Sequence, residues 1–371
     1  MNNKPLIIVS TQCFPPVTGG IENLMYSLCY ALSAAGRQVS VYADHDTVAE
    51  RAFDQQQPFT TKRYAGIKPW RRRKKARDIY HRSAEEQPNP PVLITDSWKS
   101  LEHINTQNLS SILCMVHGTE IPLHPAPAKL ERIQKAFSKA RFLVTNSGYT
   151  ASRLTGYVNN SDKVRVILPG ISAPLTDDLV NARIASRLAD YDPVLITLAR
   201  LEERKGQMEV IRMLPELVHE FPRLLYIIAG DGSCKNLLEL ESARLGVQEH
   251  VLLTGTLGDP EKSAWLKNSA LFIMPGKIVG ADVEGFGLAY IEAALHGIPA
   301  IASSAGGAPE AVLHEQTGLV VPVDDREQLL EATRTLLRNR QYCLQLGKNA
   351  HVRANSFLWR HKCAEYLQLL D

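Results

Sequence analysis

Short apolar runs alternate with stretches of helical periodicity along this chain, and they do so in two successive sets. Leu6–Val9, Val39–Tyr42, Val92–Ile94, Ile112–Val116, Phe142–Thr145 and Val164–Ile167 read as a first set of buried strands. The second set runs Val194–Leu198, Leu224–Ile228, Val251–Thr254, Leu271–Met274, Ala300–Ser303 and Leu319–Val321. Ile21–Ala35 and Lys129–Lys139 carry helical spacing, and Gly36 stops the first of these helices. Further helices are expected over 207–219, 233–245, 260–268, 288–296, 308–314 and 326–339. Strand–helix alternation implies a parallel sheet with helices on both faces. Two sets in sequence therefore predict an α/β chain of two doubly wound domains, with ligands beyond the carboxyl ends of the strands, in the cleft that the domains face. The length of 371 residues also favours two hydrophobic cores over one. The expected domains are 1–172 and 173–355, joined near Pro169–Pro193, where three prolines interrupt an acidic stretch.

Composition narrows the class further. No apolar run approaches the roughly 18 residues needed to span a bilayer. The opening Met1–Val9 is too short for the core of a signal peptide and reads as a first buried strand. Six scattered cysteines, with no CxxC pair and no histidines at metal-ligand spacing, suggest free thiols in a reducing cytoplasm. The net charge of +3 is unevenly placed: residues 1–170 hold 22 Lys and Arg against 13 Asp and Glu, and the remainder holds 20 against 26. Much of the excess lies in Arg71, Arg72, Arg73, Lys74, Lys75 and Arg77, beside Trp70. Such a run suits an anionic membrane surface, placing the protein at its inner face, or an acidic acceptor. It equally suits a solvated loop or helix start. No RNA- or DNA-binding motif accompanies it, so nucleic acid is not expected as a partner.

The residues that carry chemistry lie mostly in the second half. Glu284-Gly285-Phe286-Gly287-Leu288 leads into an expected helix, and Glu292 follows two turns on. Glycines there let a ligand approach the backbone, and the free N–H groups of a first helical turn attract an anion. A carboxylate just before such a site can bind sugar hydroxyls while the helix end holds phosphate, and Glu292 can reach a ribose. An amphipathic helix with a glycine-rich entry fits the same residues. Arg200 and Lys205 follow the strand Val194–Leu198 and project from its carboxyl end, where two fixed cations can neutralise a diphosphate. Gly19-Gly20, between the first strand and the first helix, forms a similar loop, able to touch a phosphate or serve as a plain turn.

Glu284-x7-Glu292 with Gly-Phe-Gly after the first glutamate resembles the signature of the retaining glycosyltransferases of family GT4, which have the GT-B fold of two Rossmann-like domains. Leu198–Gly206 is similar to that family's donor-phosphate segment, and Ile228-Ala-Gly230-Asp-Gly232 to its next strand and turn. Gly297–Ala302, Gly306–Glu310 and Thr317-Gly318 resemble its closing segments, and Pro15–Glu22 its first loop. The resemblance implies a nucleotide-sugar donor and transfer of a hexose, with retention, to a glycan or lipid-linked acceptor in polysaccharide or glycolipid synthesis. It places His117 beside the donor sugar and the turn Gly255-Thr256-Leu257-Gly258 against the nucleobase. It also returns a last helix, in 356–371, to the first domain. The donor is a substrate, GDP- or UDP-linked, and no cofactor or metal is implied. Gly280–Glu284 resembles the loop of some GDP-mannose-dependent members.

Rival readings use other residues. Asp44-His45-Asp46 mimics the Asp-x-Asp metal motif of GT-A transferases but follows only the second strand. Gly19-Gly20 with Asp44 suggests an NAD-binding half, yet lacks a full GxGxxG. A sugar-nucleotide epimerase of GT-B-like fold and a non-catalytic sugar-nucleotide-binding protein remain the alternatives.

Overall fold

The computed structural model of the chain describes residues 4–17, 19–45 and 47–371, so Asp46 of the Asp44-His45-Asp46 triplet lies outside the described residues. The chain divides into two compact units, Met1–Ser172 with Leu358–Asp371, and Ala173–Phe357.

The first unit is built on seven strands: β1 (Ile7–Thr11), β2 (Val39–Asp44), β3 (Thr60–Tyr64), β4 (Val92–Thr95), β5 (Ser111–Val116), β6 (Phe142–Thr145) and β7 (Val164–Val166). Their order is β3-β2-β1-β4-β5-β6-β7, and every pairing is parallel. Side chains alternate across the sheet, so both faces carry a core. Ile7 and Val9 pack with Leu24 and Leu28 of the helix Gly20–Ala34 on one side. Leu6 and Ile8 pack with Ile79 and Ile133 on the other. The helix Trp359–Leu370 closes the first of these cores through Trp359, Cys363, Tyr366 and Leu370. Gly170 lets the Trp359 ring lie against its backbone, since a Cβ there would come within 2.5 Å of the ring.

Two elements of this unit escape the apolar pattern. β3 is an edge strand whose Thr60 and Lys62 face solvent, so it shows no continuous apolar run. The basic stretch is neither loop nor mere helix start. It opens an 18-residue helix, Lys68–Glu85, with Pro69 in its first turn and Lys75, Ala76, Ile79 and Ser83 on its buried face.

The second unit has six strands: β8 (Val194–Leu198), β9 (Leu225–Ala229), β10 (Val251–Gly255), β11 (Leu271–Met274), β12 (Ala300–Ser303) and β13 (Gly318–Val321). They run parallel in the order β10-β9-β8-β11-β12-β13. The stretch expected as linker, Pro169–Pro193, is largely structured instead. Asp177 accepts from the backbone N–H groups of Leu179 and Val180, at 2.9 and 3.0 Å, and starts the helix Asp178–Arg187. Asn181 and Arg183 of that helix bond Asn268 and Glu261 of the second unit at 3.0 and 2.9 Å. Strand order reverses beside β1 in one sheet and beside β8 in the other, which makes the carboxyl ends of β1/β4 and β8/β11 the expected ligand sites. Among the described residues no helix is long and apolar enough to cross a membrane.

Candidate active site

Beyond β8 the chain turns through a single 3-10 turn, Glu203–Lys205, and Gly206. Gly206 has φ +76°, and a Cβ on it would lie 2.0 Å from the carbonyl oxygen of Pro275, so only glycine lets this loop press against the end of β11. The backbone N–H of Lys277 secures the contact by donating to the carbonyl of Arg204 at 2.8 Å. Three cations result at the switch point. Lys205 Nζ donates to Glu284 Oε2, and Arg204 Nη1 lies 3.4 Å from the same oxygen. Glu202 bridges the other two, with Oε2 3.0 Å from Arg204 Nε and Oε1 2.8 Å from Arg200 Nη1. Arg200 is 70% exposed, whereas Lys205 and Arg204 are largely enclosed. Burial pushes the Glu284 carboxyl up, but Lys205 and then Arg204 pull harder and hold it below the usual carboxylate range.

The Glu284 loop is fixed from three sides. Gly287 takes φ +95° at the mouth of the helix Leu288–Leu295, and a Cβ there would meet the Tyr290 ring at 2.5 Å. Tyr290 is itself anchored by its hydroxyl, which donates to the carbonyl of Met274 at 2.6 Å. Phe286 is buried against Phe357, with ring centroids 5.8 Å apart. Gly307 N–H donates to the Glu284 carbonyl at 2.8 Å, and Gly306 leaves room for that carbonyl, which a Cβ would approach to 2.2 Å. Gly285, Phe286, Gly287 and Leu288 thus form a rigid entry to a helix whose first N–H groups have no intrahelical acceptor. This arrangement can hold a phosphate beside a fixed carboxylate.

Gly230 and Gly255 bring the next segment alongside. Gly230 N–H donates to the Gly255 carbonyl at 2.9 Å, and a Cβ on Gly230 would come 2.0 Å from the carbonyl of Ala199. The turn bearing exposed Thr256 and half-buried Leu257 therefore stands next to the Arg200 loop. Glu292 points to the same end of the sheet. It accepts from Lys262 Nζ at 2.7 Å, and Lys262 belongs to the helix Asp259–Lys267 that follows this turn. Burial pulls the Lys262 ammonium down, but Glu292 and Asp259 outweigh it and raise it above the usual lysine value. Arg204, Glu202 and Lys262 are absent from the site read from the sequence. Arg204 was adjacent to Lys205 and could have been named, while nothing in the local pattern points to Lys262.

In the first unit, His117 directly follows β5 and is buried. Its backbone N–H donates to Glu120 Oε1 at 2.8 Å, while the ring Nε2 and Glu120 Oε2 are enclosed without a hydrogen-bond partner among the described residues. Gly19 and Gly20 start the helix Gly20–Ala34, and the Glu22 carboxylate folds back against Gly19 over the helix entrance. Burial, and then Glu22, push the neighbouring Cys13 thiol up to about 12.

The basic cluster is corrected by the helix that carries it. With 3.6 residues per turn, six charges within seven positions cannot share one exposed face. Lys75 is buried and donates to Asp44 Oδ1 at 2.8 Å and to the carbonyl of Thr11 at 2.7 Å. Arg71 lies 2.9 Å from Asp44 Oδ2, and Arg72 donates to Gln12 Oε1 at 2.7 Å. Arg73, Lys74 and Arg77 remain exposed, with Lys68 and Trp70.

Comparison with known proteins agrees with this geometry. Residues 181–353 match the family model described as "Glycosyl transferases group 1", and residues 18–173 match "Glycosyltransferase Family 4". The GDP-mannose-dependent alpha-(1-6)-phosphatidylinositol monomannoside mannosyltransferase of Mycolicibacterium smegmatis is 33% identical over 267 residues, which cover 70% of each chain. The protein of the same name from Mycobacterium tuberculosis (strain CDC 1551 / Oshkosh) is 27% identical over 366 residues, covering 92% of this chain and 91% of the relative. Among solved structures, Anabaena Alr3699/HepE in complex with UDP superposes with a TM-score of 0.82 at 19% identity, covering 99% of each chain. The two parallel-sheet units and these neighbours identify the GT-B fold.

Proposed function

Because the chain belongs to the group 1 glycosyl transferases of family GT4, and is thus a nucleotide-sugar glycosyltransferase, we propose that it is a retaining, metal-independent hexosyltransferase using GDP-mannose and a lipid-linked acceptor. The observation that carries this is the cluster of Lys205, Arg204, Arg200 and Glu284 at the β8/β11 switch point, facing a helix entrance built from Gly285–Leu288. The donor lean rests on the loop Gly280–Glu284 and on two GDP-mannose-dependent relatives. A UDP-sugar and a glycan acceptor are the second choice for each partner.

In this reading the bond between the anomeric carbon and the diphosphate oxygen breaks, and the growing negative charge falls between Lys205, Arg200 and the N–H groups of the helix entrance. The acceptor hydroxyl oxygen bonds to the same face of the sugar, and its proton passes to the departing phosphate. Glu284 holds sugar hydroxyls rather than acting as nucleophile, and His117 lines the reaction centre from the first unit. Thr256 and Leu257 offer backbone groups to the base, Gly230 supports their turn, and Glu292 takes the ribose. Gly19 and Gly20 let the first helix approach the phosphates.

Fixed cations make a bound metal unnecessary for the leaving group. Titration with GDP and with UDP, with and without EDTA, should show one tight nucleoside diphosphate whose affinity EDTA leaves unchanged. At 100 times its dissociation constant, that ligand should stabilise the protein by about 2.7 kcal/mol. Binding that vanishes in EDTA and returns with manganese would overturn metal independence, and no binding of either nucleotide would overturn the donor site.

The exposed rim Lys68, Arg73, Lys74 and Arg77, with Trp70 at 75% and Ile67 at 74% exposure, fits peripheral attachment to an anionic membrane at its inner face. Each basic residue near such a surface contributes about 1 kcal/mol, and salt screens it beyond about 8 Å. The variant with all four changed to Ser should sediment less than wild type with anionic vesicles, and neither should sediment with neutral ones. Equal sedimentation on anionic vesicles would leave this face merely solvated.

A further inference from the structure

The helix that follows the turn Gly255–Gly258 carries one cation turned inward. Asp259–Lys267 opens directly after Gly258, and the backbone N–H of Lys262 donates to the Gly258 carbonyl at 2.8 Å. That helix is fastened at both ends to Asp178–Arg187, through Glu261 with Arg183 and Asn268 with Asn181. Lys262 thus rises from a fixed backbone. Its Nζ lies 2.7 Å from Glu292 Oε1 and 3.1 Å from Asp259 Oδ1. One ammonium therefore joins the first turn of this helix to the second turn of the helix Leu288–Leu295.

An exposed lysine–carboxylate pair contributes little, because solvent screens it and two long side chains must be ordered. Here the side chains of Lys262 and Glu292 are only 26% and 25% exposed. Glu292 has no second cation on its own helix, where Leu288 stands one turn before it and His296 one turn after. Burial, then Lys262, Lys267 and His351, lower the His296 imidazole to about 4, so it is uncharged near neutral pH. Among the described residues Glu292 is held by Lys262 alone, through Oε1, while Oε2 accepts no hydrogen bond and is not sealed off.

A carboxylate with one oxygen tied and the other open is a fixed acceptor, and a ribose presents two adjacent hydroxyls that donate. Released from Lys262, the same carboxylate would turn freely about its side-chain bonds and would have to be ordered again on binding. We propose that Lys262 is a positioning residue for the donor nucleoside. It holds Glu292 for the ribose hydroxyls and, through Gly258, ties that contact to the turn that meets the base. This role rests on the reading of Glu292 as the ribose contact given above, and it makes selection for ribose a property of the pair rather than of Glu292 alone.

Calorimetric titration of the full chain with GDP, UDP and their 2′,3′-dideoxy forms tests this role, using wild type, Lys262→Met, Lys262→Arg, Glu292→Gln and the double variant of Lys262→Met with Glu292→Gln. Wild type should bind the preferred ribonucleotide about tenfold or more tightly than its dideoxy form, the scale of a hydrogen bond to a charged group. Lys262→Met should lose most of that preference by binding the ribonucleotide more weakly, while binding the dideoxy form as wild type does. Lys262→Arg, which restores the charge, should recover most of it. In the double variant, Lys262→Met should add less than about twofold to the loss caused by Glu292→Gln, because the lysine acts through the glutamate. A preference retained in Lys262→Met but abolished in Glu292→Gln would overturn the role of Lys262 and leave the ribose contact standing. An equal loss for both nucleotide forms in Lys262→Met would also overturn it, since a merely structural pair produces that result. Absence of any preference in wild type would sink the ribose contact and the role of Lys262 with it, and failure of both GDP and UDP to bind would sink the donor site as a whole.

Discussion

Glu284→Ala is expected to lower kcat/KM for sugar transfer by about a thousandfold, roughly 4 kcal/mol of transition-state stabilisation. The carboxylate is held by Lys205 and Arg204 and by a loop that Gly306, Gly307 and Tyr290 keep rigid, so a sugar hydroxyl bonded to it is oriented before reaction begins. Its removal also leaves the enclosed Lys205 and Arg204 without their shared partner. Glu292→Ala is expected to behave differently. Glu292 contacts Lys262 and, in our reading, a ribose remote from the breaking bond, so its loss should raise KM with kcat within about threefold of wild type. Steady-state kinetics, or slow donor hydrolysis where no acceptor is to hand, separates the two. A Glu292 variant more damaged in kcat than the Glu284 variant would mean their roles are exchanged.

Lys205→Ala is expected to lower kcat about a hundredfold, roughly 2.7 kcal/mol, and Arg200→Ala to cost less. Both cations follow the same strand, but Lys205 is enclosed and Arg200 is 70% exposed, where solvent screens its charge. The pH profile provides a second measurement. In wild type Lys205 and Arg204 hold the Glu284 carboxyl below its ordinary range, so the carboxylate persists as pH falls through that range and is protonated only below it. The stability contributed by these ion pairs is accordingly present above the ordinary carboxylate pKa and lost as pH falls through the lowered value. Without Lys205, burial acts against Arg204 alone, and the acid limb of activity should move to higher pH. An acid limb that stays in place, or equal losses in the Lys205 and Arg200 variants, would remove Lys205 from its position between donor and Glu284.

The parts of this protein legible from its sequence are those whose physical cause is local. A strand buried on both faces is mostly apolar, and Val194–Leu198, Phe142–Thr145 and Leu271–Met274 carry strands with those same bounds. The glycines at 285 and 287 announce a loop entering a helix, which is how the chain is built there. β3 and the helix Asp178–Arg187 were hidden for the same reason in reverse, since one is an edge strand with polar side chains and the other buries little beyond Ile184.

Tertiary structure decided what each charge does. The basic run shows six cations in seven positions, but helix geometry turns Arg71 and Lys75 onto Asp44 and leaves Arg73, Lys74 and Arg77 outside. Arg204 meets a carboxylate 80 positions away, and Lys262 one 30 positions away. Periodicity records which face of an element is buried, because that depends on neighbours within a turn or a pleat. It carries no record of partners brought together by strand order, and electrostatic pairing depends on distances that only the folded chain sets.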